Sequence, residues 1–456
     1  MNIFIHRRDM RLQDNTTLIE MSKNMKNINS IFIFTPEQIK KNKYFSNNLV
    51  QFMCETLLDL KEQYKKKSSN LHFYYGDIID VLESVHKKTP IKNLGFNLDY
   101  SPYSTKRDNK IEKWCKKNNI KLWKNEDMLL VNIINNKNYP NETPYKVFTP
   151  YMRYQVANYN VNKPDKSKIN LGNNNIETKL SIDNDYLKKF YKFNMNLLSN
   201  GGKEEAQKKL KNLSKQGKYN TLRDSLTYET SRLSPYINLG LLSIREVYHS
   251  IKSKFDEKHA LITELYWRDF YYNILYHFPH VVGKSFKESY NNIKWENNKS
   301  KFNKWCKGET GFPIVDACMK EMNTTGYMHN RGRMIVSSFL TKDLFIDWRW
   351  GEKYFATQLL DYNISANNGG WQWAAGTGTD AQPYFRIFNP WTQSSKFDNN
   401  CEYIKKWIPE LKDVNNKDIH DWNNKYQNYK NINYPKPIIN HDEERKKTLD
   451  KYKQYV

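Results

Sequence analysis

LHFYYGDIIDVLESVHKK, Leu71–Lys88, is the stretch on which the fold turns. A short β-rich run meets Gly76-Asp77, a turn and an N-cap, and the cap feeds a helical segment. The same alternation surrounds it. NIFIH (Asn2–His6), SIFIF (Ser30–Phe34) and NLGFN (Asn93–Asn97) are further apolar strands separated by helix-length segments. That pattern predicts a parallel sheet built from βαβ units. No strand runs into GxGxxG or a Walker A loop, so the ordinary dinucleotide and NTP fingerprints are missing.

From about Asn132 to Asn200 the alternation dissolves into Asn, Lys, Pro and Ser, except around YKVFTPYMRYQVANY. A segment of that length reads as a connection with little structure of its own. Beyond it the chain is helical in period, as in IREVYHSI, ELYWRDFYYNILYHF, PIVDACMKEMN, GRMIVSSFLTKDLFIDW and EKYFATQLLDY. No internal repeat is visible. The expectation is an α/β domain over 1–131, a long linker over 132–200 and an all-α domain over 201–456.

Composition narrows the function classes. The 456 residues carry a net charge of +24, which favours a polyanionic partner, nucleic acid before membrane. An N-terminal hydrophobic segment and an apolar run of membrane-spanning length are both missing, so a soluble intracellular protein is expected. The five cysteines are scattered, without CxxC or a ligand-like pairing with His, and predict neither a disulfide framework nor a metal site. Aromatics reach 14%, with 12 Trp, an excess that core filling alone does not explain.

Four constellations in the helical half carry chemistry. In TSRLSPYINLG (Thr230–Gly240), Ser234 before Pro235 predicts an N-cap and first turn, where hydroxyls, Arg232 and backbone N–H groups suit a phosphate. In ELYWRDF, Glu264, Trp267 and Arg268 share a helix face, placing an indole beside a carboxylate, a pair that can stack on a base and accept from its edge. In MHNRGRM, Asn330, Arg333 and Met334 share a face, and Asp361 further on can pair with an arginine. Each alone is equally served by a capped helix, a core Trp or a structural ion pair. In NNGGWQWAAGTGTD (Asn367–Asp380), Gly369-Gly370 permits close approach to a large flat group, and Asn367 and Asn368 offer amides. Trp371 and Trp373 cannot face the same way on a helix, so they serve two surfaces.

The segment from Glu309 to Pro390, ETGFPIVDACMKEMNTTGYMHNRGRMIVSSFLTKDLFIDWRWGEKYFATQLLDYNISANNGGWQWAAGTGTDAQPYFRIFNP, resembles the photolyase/cryptochrome family, specifically class I cyclobutane pyrimidine dimer photolyases. RRDMRLQDN (Arg7–Asn15) is similar to the family's N-terminal signature and TSRLSP to its FAD-binding segment. The resemblance covers the whole chain and is weakest from Asn132 to Lys218. It implies a Rossmann-like N-terminal antenna domain and a helical FAD-binding domain. It also implies light-driven splitting of a thymine dimer flipped out of UV-damaged DNA, by electron transfer from reduced FAD. It assigns Tyr219, Thr230, Ser231, Arg232, Leu233 and Ser234 to the FAD phosphates and ribityl chain, Arg333 and Asp361 to an ion pair over the flavin, and Asn367 to flavin N5. Asn330 and Asn363 would also face the cofactor. Glu264 would bond the dimer and stabilise its radical anion, with Trp267 and Trp373 as a wedge around the flipped bases. Arg268, Asn330, Arg331 and Met334 would line the lesion side, Arg386 would contact phosphate, and Trp371, Trp348 and Trp295 would form an electron-hopping chain.

Departures from the family pattern are Asn363 for the common Asp, Leu261 for a frequent Trp and Asp269 for the usual Glu. Tyr103-Ser104 stands where folate-binding relatives carry Asn-Glu, which disfavours a folate antenna and leaves a deazaflavin, another flavin or none. Two alternatives accompany dimer repair. A (6-4) photolyase would need an acid where Asn330 and Met334 stand, and neither supplies one. A cryptochrome-like receptor shares the tryptophan chain, but the resemblance implies a complete dimer-binding set in Glu264, Trp267, Asn330, Met334 and Trp373, and no long signalling tail is expected. The expected partner is damaged DNA, bound by a monomer without a membrane.

Overall fold

Strands β1 (Asn2–His6), β2 (Ile28–Phe34), β3 (Leu71–Tyr75) and β4 (Asn93–Asn97) form where the apolar runs predict them. The computed structural model describes residues 1–134 and 143–455. Two further strands, β5 (Lys121–Asn125) and β6 (Ser181–Ile182), complete a six-stranded sheet in the order β5-β4-β1-β2-β3-β6. β1 to β5 are parallel, and β6 adds antiparallel to β3 through Phe73 opposite Ile182 and Tyr74 opposite Ser181. β2 is buried at every position, as a strand covered on both faces must be.

Helices α1 (Thr16–Asn24), α2 (Asn47–Lys65), α3 (Ile78–Lys88) and α4 (Pro102–Lys117) link the strands. Asp77 caps α3 by accepting from the Ile79 amide at 2.8 Å, as the Gly76-Asp77 reading requires. α1 lies hard on β4 because residue 95 is glycine: a Cβ there would stand 2.1 Å from Met21 Sδ.

The part of the linker at 135–142 lies outside the described residues. The rest holds more structure than its composition suggests. It supplies β6 and helix α5 (Phe148–Asn158), whose centre falls in the one patterned stretch. Packing divides the described chain into two compact units that cut across the divisions at 131 and 200. One gathers Met1–Met195, Ser199–Lys215 and Ser231–Pro279, and the other Asn196–Leu198, Gln216–Thr230 and His280–Val456.

The first unit also contains α6 (Ser234–Asn238), α7 (Ile244–Lys254) and α8 (Ala260–His277). They are joined to the Arg7–Asn15 signature by a buried charge clamp. Arg245 pairs with Asp14 and with Asp127 at 2.9 Å, and Arg11 reaches Asp127 at 2.5 Å. Gly240, in a left-handed turn, lets the clamp close, since a Cβ would stand 2.2 Å from the Arg8 carbonyl. The second unit is helical: α9 (Pro313–Thr325), α10 (Asn330–Ser338), the π turn Phe339–Asp343, α11 (Trp348–Gln358), α12 (Ile364–Ala375) and α13 (His441–Lys453) enclose a core with Trp305, Phe339, Trp348 and Trp371.

Asp127→Ala leaves two buried guanidiniums facing one carboxylate fewer and should destabilise the first unit by about 3–5 kcal/mol. A urea-unfolding midpoint equal to that of the unaltered protein would show that the clamp contributes nothing.

Candidate functional site

In the helical unit the expected residues gather on α10, α11 and α12. Arg333 Nη2 bonds both Asp361 oxygens, at 3.1 and 3.0 Å, and its Nε donates to the Met328 carbonyl at 2.9 Å. Burial opposes the guanidinium's charge, but Asp361 and Tyr327 more than offset it and hold Arg333 above its ordinary value. The Tyr327 hydroxyl is hydrogen-bonded to Thr230, which brings one residue of the TSRLSP run to this pair.

Asn367 Nδ2 donates to the Glu352 carbonyl at 2.9 Å, which fixes the amide and turns its oxygen away as an acceptor. Asn368 is committed elsewhere, to Val281 O and to Gln372. Asn363 caps α12, its oxygen accepting from the amides of Ser365 and Ala366 and from the Ser365 hydroxyl. A Cβ on Gly370 would meet no heavy atom within 4 Å, so protein packing does not demand that glycine. On α10, Asn330 Nδ2 lies 3.8 Å from Met334 Sδ, the shared face read from their spacing. Arg331 instead pairs with Asp224 at 2.7 Å and lies over the Phe397 ring. Arg386 is exposed in the turn after Pro383.

The tryptophans separate as the helix period requires. Trp371 is buried, with its ring against Phe355 at 5.0 Å and Trp305 at 6.0 Å between centroids. α11 touches it directly, since a Cβ on Gly351 would stand 2.1 Å from Trp371 Cη2. Trp373 is half-buried. Trp348 is buried at the start of α11, and half-buried Trp295 packs on Phe345 and Tyr452. Trp305, a buried ring in edge contact with Trp371, was not singled out from sequence, because its KWC context carries no periodic or polar signal.

In the first unit α8 carries Glu264, Trp267 and Arg268 as predicted, the first two half-buried. Trp267 stacks on Phe148 at 3.6 Å and 9°, so one indole face is already covered. Arg268 donates to the Met128 carbonyl at 2.7 Å and bridges to Asp269 at 3.3 Å, acting within the protein as a brace. Asp269 is fully buried and accepts from the Leu130 amide at 2.7 Å. At the other end of the run, the capping expectation is corrected. Leu233 occupies the N-cap without a side-chain bond, Ser234 is the first helical residue, and α6 has only five residues. The cause lies one step earlier: Arg232 is left-handed at φ 50°, which redirects the chain before the helix begins. Tyr219 opens a separate four-residue helix in the other unit.

Arg7 and Arg107 share the Asp108 carboxylate at 2.8 and 2.9 Å, with Arg7 stacked on Phe96. Arg7 Nε and Nη2 and Arg107 Nη2 are buried and find no hydrogen-bond partner among the described residues. Arg7 follows β1, which lies between β2 and β4 in the sheet, at the strand ends where open α/β sheets bind ligands, and Arg107 comes from α4.

Residues 2–167 match the DNA photolyase family, and residues 261–454 match the FAD binding domain of DNA photolyase. The chain is 38% identical to the deoxyribodipyrimidine photo-lyase of Buchnera aphidicola subsp. Acyrthosiphon pisum, over 99% of its own length and 97% of that protein. To the deoxyribodipyrimidine photo-lyase of Escherichia coli it is 34% identical, covering 98% and 97%. Among solved structures, the archaeal photolyase from Sulfolobus tokodaii with two FAD molecules superposes with a TM-score of 0.89 at 37% identity, covering both chains in full. A Synechocystis cryptochrome superposes at 0.91 with 25% identity, over 99% of this chain and 98% of that one.

Burial, opposed chiefly by Arg268, pushes the Asp269 carboxyl up to about 7 from 3.8. A carboxyl raised on folding contributes most to stability below its ordinary value and loses that contribution as pH rises through the raised one. The thermal midpoint should therefore fall, relative to that of Asp269→Asn, as pH climbs from 3.8 to about 7. Parallel curves for the two proteins would contradict it.

Proposed function

The chain belongs to the DNA photolyase family, and from that premise we propose how its residues divide the work of repair. It is a light-driven enzyme that binds FAD and splits cyclobutane pyrimidine dimers in UV-damaged DNA. FAD, when bound and reduced, supplies the photoexcited electron. Everything else falls to the protein.

The observation that carries the assignment is the Arg333–Asp361 pair, with Asn367 held by the Glu352 carbonyl in the same helical unit. A paired cation, an amide oxygen aimed away from its own backbone partner and an unconstrained Gly370 suit the edge and face of a flat heteroaromatic ring. Thr230, Ser231, Arg232, Leu233 and Ser234, with Tyr219, offer hydroxyls and backbone N–H groups to the phosphates and ribityl chain. Without a side-chain cap on α6, those donors rest on the left-handed turn at Arg232 more than on a helix end. In sequence terms, 1–131 is then the antenna-type domain and 201–456 the flavin-binding domain.

Glu264 accepts a hydrogen bond from the flipped dimer and steadies the charge it gains, and Trp267 and Trp373 flank the bases. Trp267 meets the lesion with the indole face that Phe148 leaves uncovered. Asn330 and Met334 line the pocket. Arg268 and Arg331 act one step back, holding α8 and α10 through Met128 and Asp224. Trp295, Trp348 and Trp371, running from half-buried to buried, form the route by which an electron reaches the interior. Arg386 meets a DNA phosphate. A charge of +24 draws the chain to DNA and opposes self-association, in keeping with a monomer. The unpartnered nitrogens of Arg7 and Arg107 suit acceptor atoms of a second, light-harvesting chromophore, for which the two-FAD archaeal relative favours a flavin.

Illuminating a dimer-containing oligonucleotide with reduced holoprotein should restore its thymines, and a yield no higher than the dark control would refute the reading. Glu264→Ala should cut repair yield several-fold while changing affinity for damaged DNA much less. Trp371→Phe should slow photoreduction at least tenfold yet leave repair intact once the cofactor is chemically reduced, since each extra ångström of electron gap counts only on the charging route. Equal loss of both activities would remove Trp371 from that route.

A further inference from the structure

Lys342 is fully buried inside the helical unit. The π turn Phe339–Asp343 delivers it, a form of helix that often marks functional positions. The neighbouring Asp343 turns away to His441 Nδ1 at 2.5 Å. Among the described residues no carboxylate lies within ion-pairing distance of Lys342. Its Nζ donates instead to two carbonyls, Ala375 O at 3.0 Å and Tyr384 O at 3.3 Å, and sits 3.7 Å from the centre of the Tyr452 ring. Burial holds the amine well below its ordinary range. An amine without a counter-ion is costly to bury, and an apolar side chain of the same length would be cheaper there. What the amine adds is the link between its two acceptors.

Those acceptors belong to different elements. Ala375 ends α12, the helix of Asn367, Trp371 and Trp373, and a cation at that end also suits the helix dipole. Tyr384 lies in the following loop, two residues before Arg386. The Tyr452 hydroxyl bonds the same Ala375 carbonyl at 2.7 Å, the Tyr384 ring stacks on Tyr452 at 5.9 Å, and Thr448 pins the π turn through the Lys342 carbonyl at 2.6 Å. Beyond this knot the loop turns outward and exposes Phe385 and Arg386.

We propose that Lys342 is a positioning residue that locks the Arg386 loop to the end of α12, so that a DNA phosphate and the Trp373 side of the lesion pocket are gripped at one fixed spacing. The inference rests on the reading of Arg386 as a phosphate contact. Lys342 itself touches neither DNA nor cofactor.

The test is a salt titration of holoprotein binding to a dimer-containing duplex. Arg386→Ala should make the plot of log affinity against log salt shallower by about 0.9, the loss of one phosphate contact. Lys342→Met, which keeps length and loses the donors, should do the same and weaken binding on the order of tenfold, with Lys342→Arg restoring most of it. Combining Lys342→Met with Arg386→Ala should be no worse than Arg386→Ala alone, because the two act through one contact. The flavin absorption spectrum and the repair of an isolated dimer dinucleotide, too short to reach the loop, should not change in Lys342→Met. If Lys342→Met does not fold, Lys342→Gln, whose shorter amide cannot span both carbonyls, decides by the same slope. A normal slope in Lys342→Met or Lys342→Gln beside a shallow one in Arg386→Ala overturns the positioning role, as do additive effects or loss of flavin. A normal slope in Arg386→Ala overturns the phosphate reading and the inference with it.

Discussion

The Arg333–Asp361 ion pair is the constraint from which the helical unit's geometry follows. Asp361 is buried and Arg333 half-buried, and removing either would leave the other without its ion-pair partner. The pair therefore fixes the approach to α12 against α10. A backbone bond from Leu360 N to the Gly326 carbonyl at 2.8 Å runs beside it. The residue before the arginine completes the arrangement: a Cβ on Gly332 would stand 2.9 Å from Cys318 Sγ, so α10 can lie on α9 only with glycine there. Asn330 and Met334 on one helix, and Asn367, Trp371 and Trp373 on the other, thus hold their places through one salt link and one missing methyl group.

The aromatic excess follows from the same packing. Two positions apart on an α-helix is a rotation of about 200°, so Trp371 and Trp373 must part company. Trp371 goes inward, into a nest of Trp305, Phe355 and the bare backbone of Gly351. Trp305 is fully buried and its indole N–H is satisfied by the Val336 carbonyl at 3.1 Å. Trp373 stays half-buried. Tryptophan thus fills the core at one position and reaches toward the surface at another within a single helix.

Sequence made the parallel sheet legible because β1 to β4 are apolar on both faces, and made α8, α10 and α12 legible through spacing. β5 was missed because KLWKN is half-exposed at an edge, and β6 because two residues carry no period. The Ser234 cap was misplaced because a left-handed arginine leaves no mark in the letters. The internal partners of Arg268 and Arg331 were not legible because they are remote in the chain, Met128 standing 140 positions from Arg268. Lys342 was hidden in plain view: FLTKDLF is an apolar run broken by two charges, yet no pattern says which carbonyls a buried amine will find.

Asn363 shows how a departure from the family pattern can leave shape untouched while moving charge. Its one oxygen takes three donors at the head of α12, and an aspartate oxygen would take the same three, so capping does not distinguish them. The difference is electrostatic. An aspartate at 363 would set a second negative charge two residues from Asp361, competing for Arg333 and repelling added electrons nearby. With asparagine, Asp361 is the carboxylate that bonds the guanidinium and the surroundings are one unit more positive. In a half-buried setting that bias is not fully screened, and it favours an electron-rich occupant over an oxidised one.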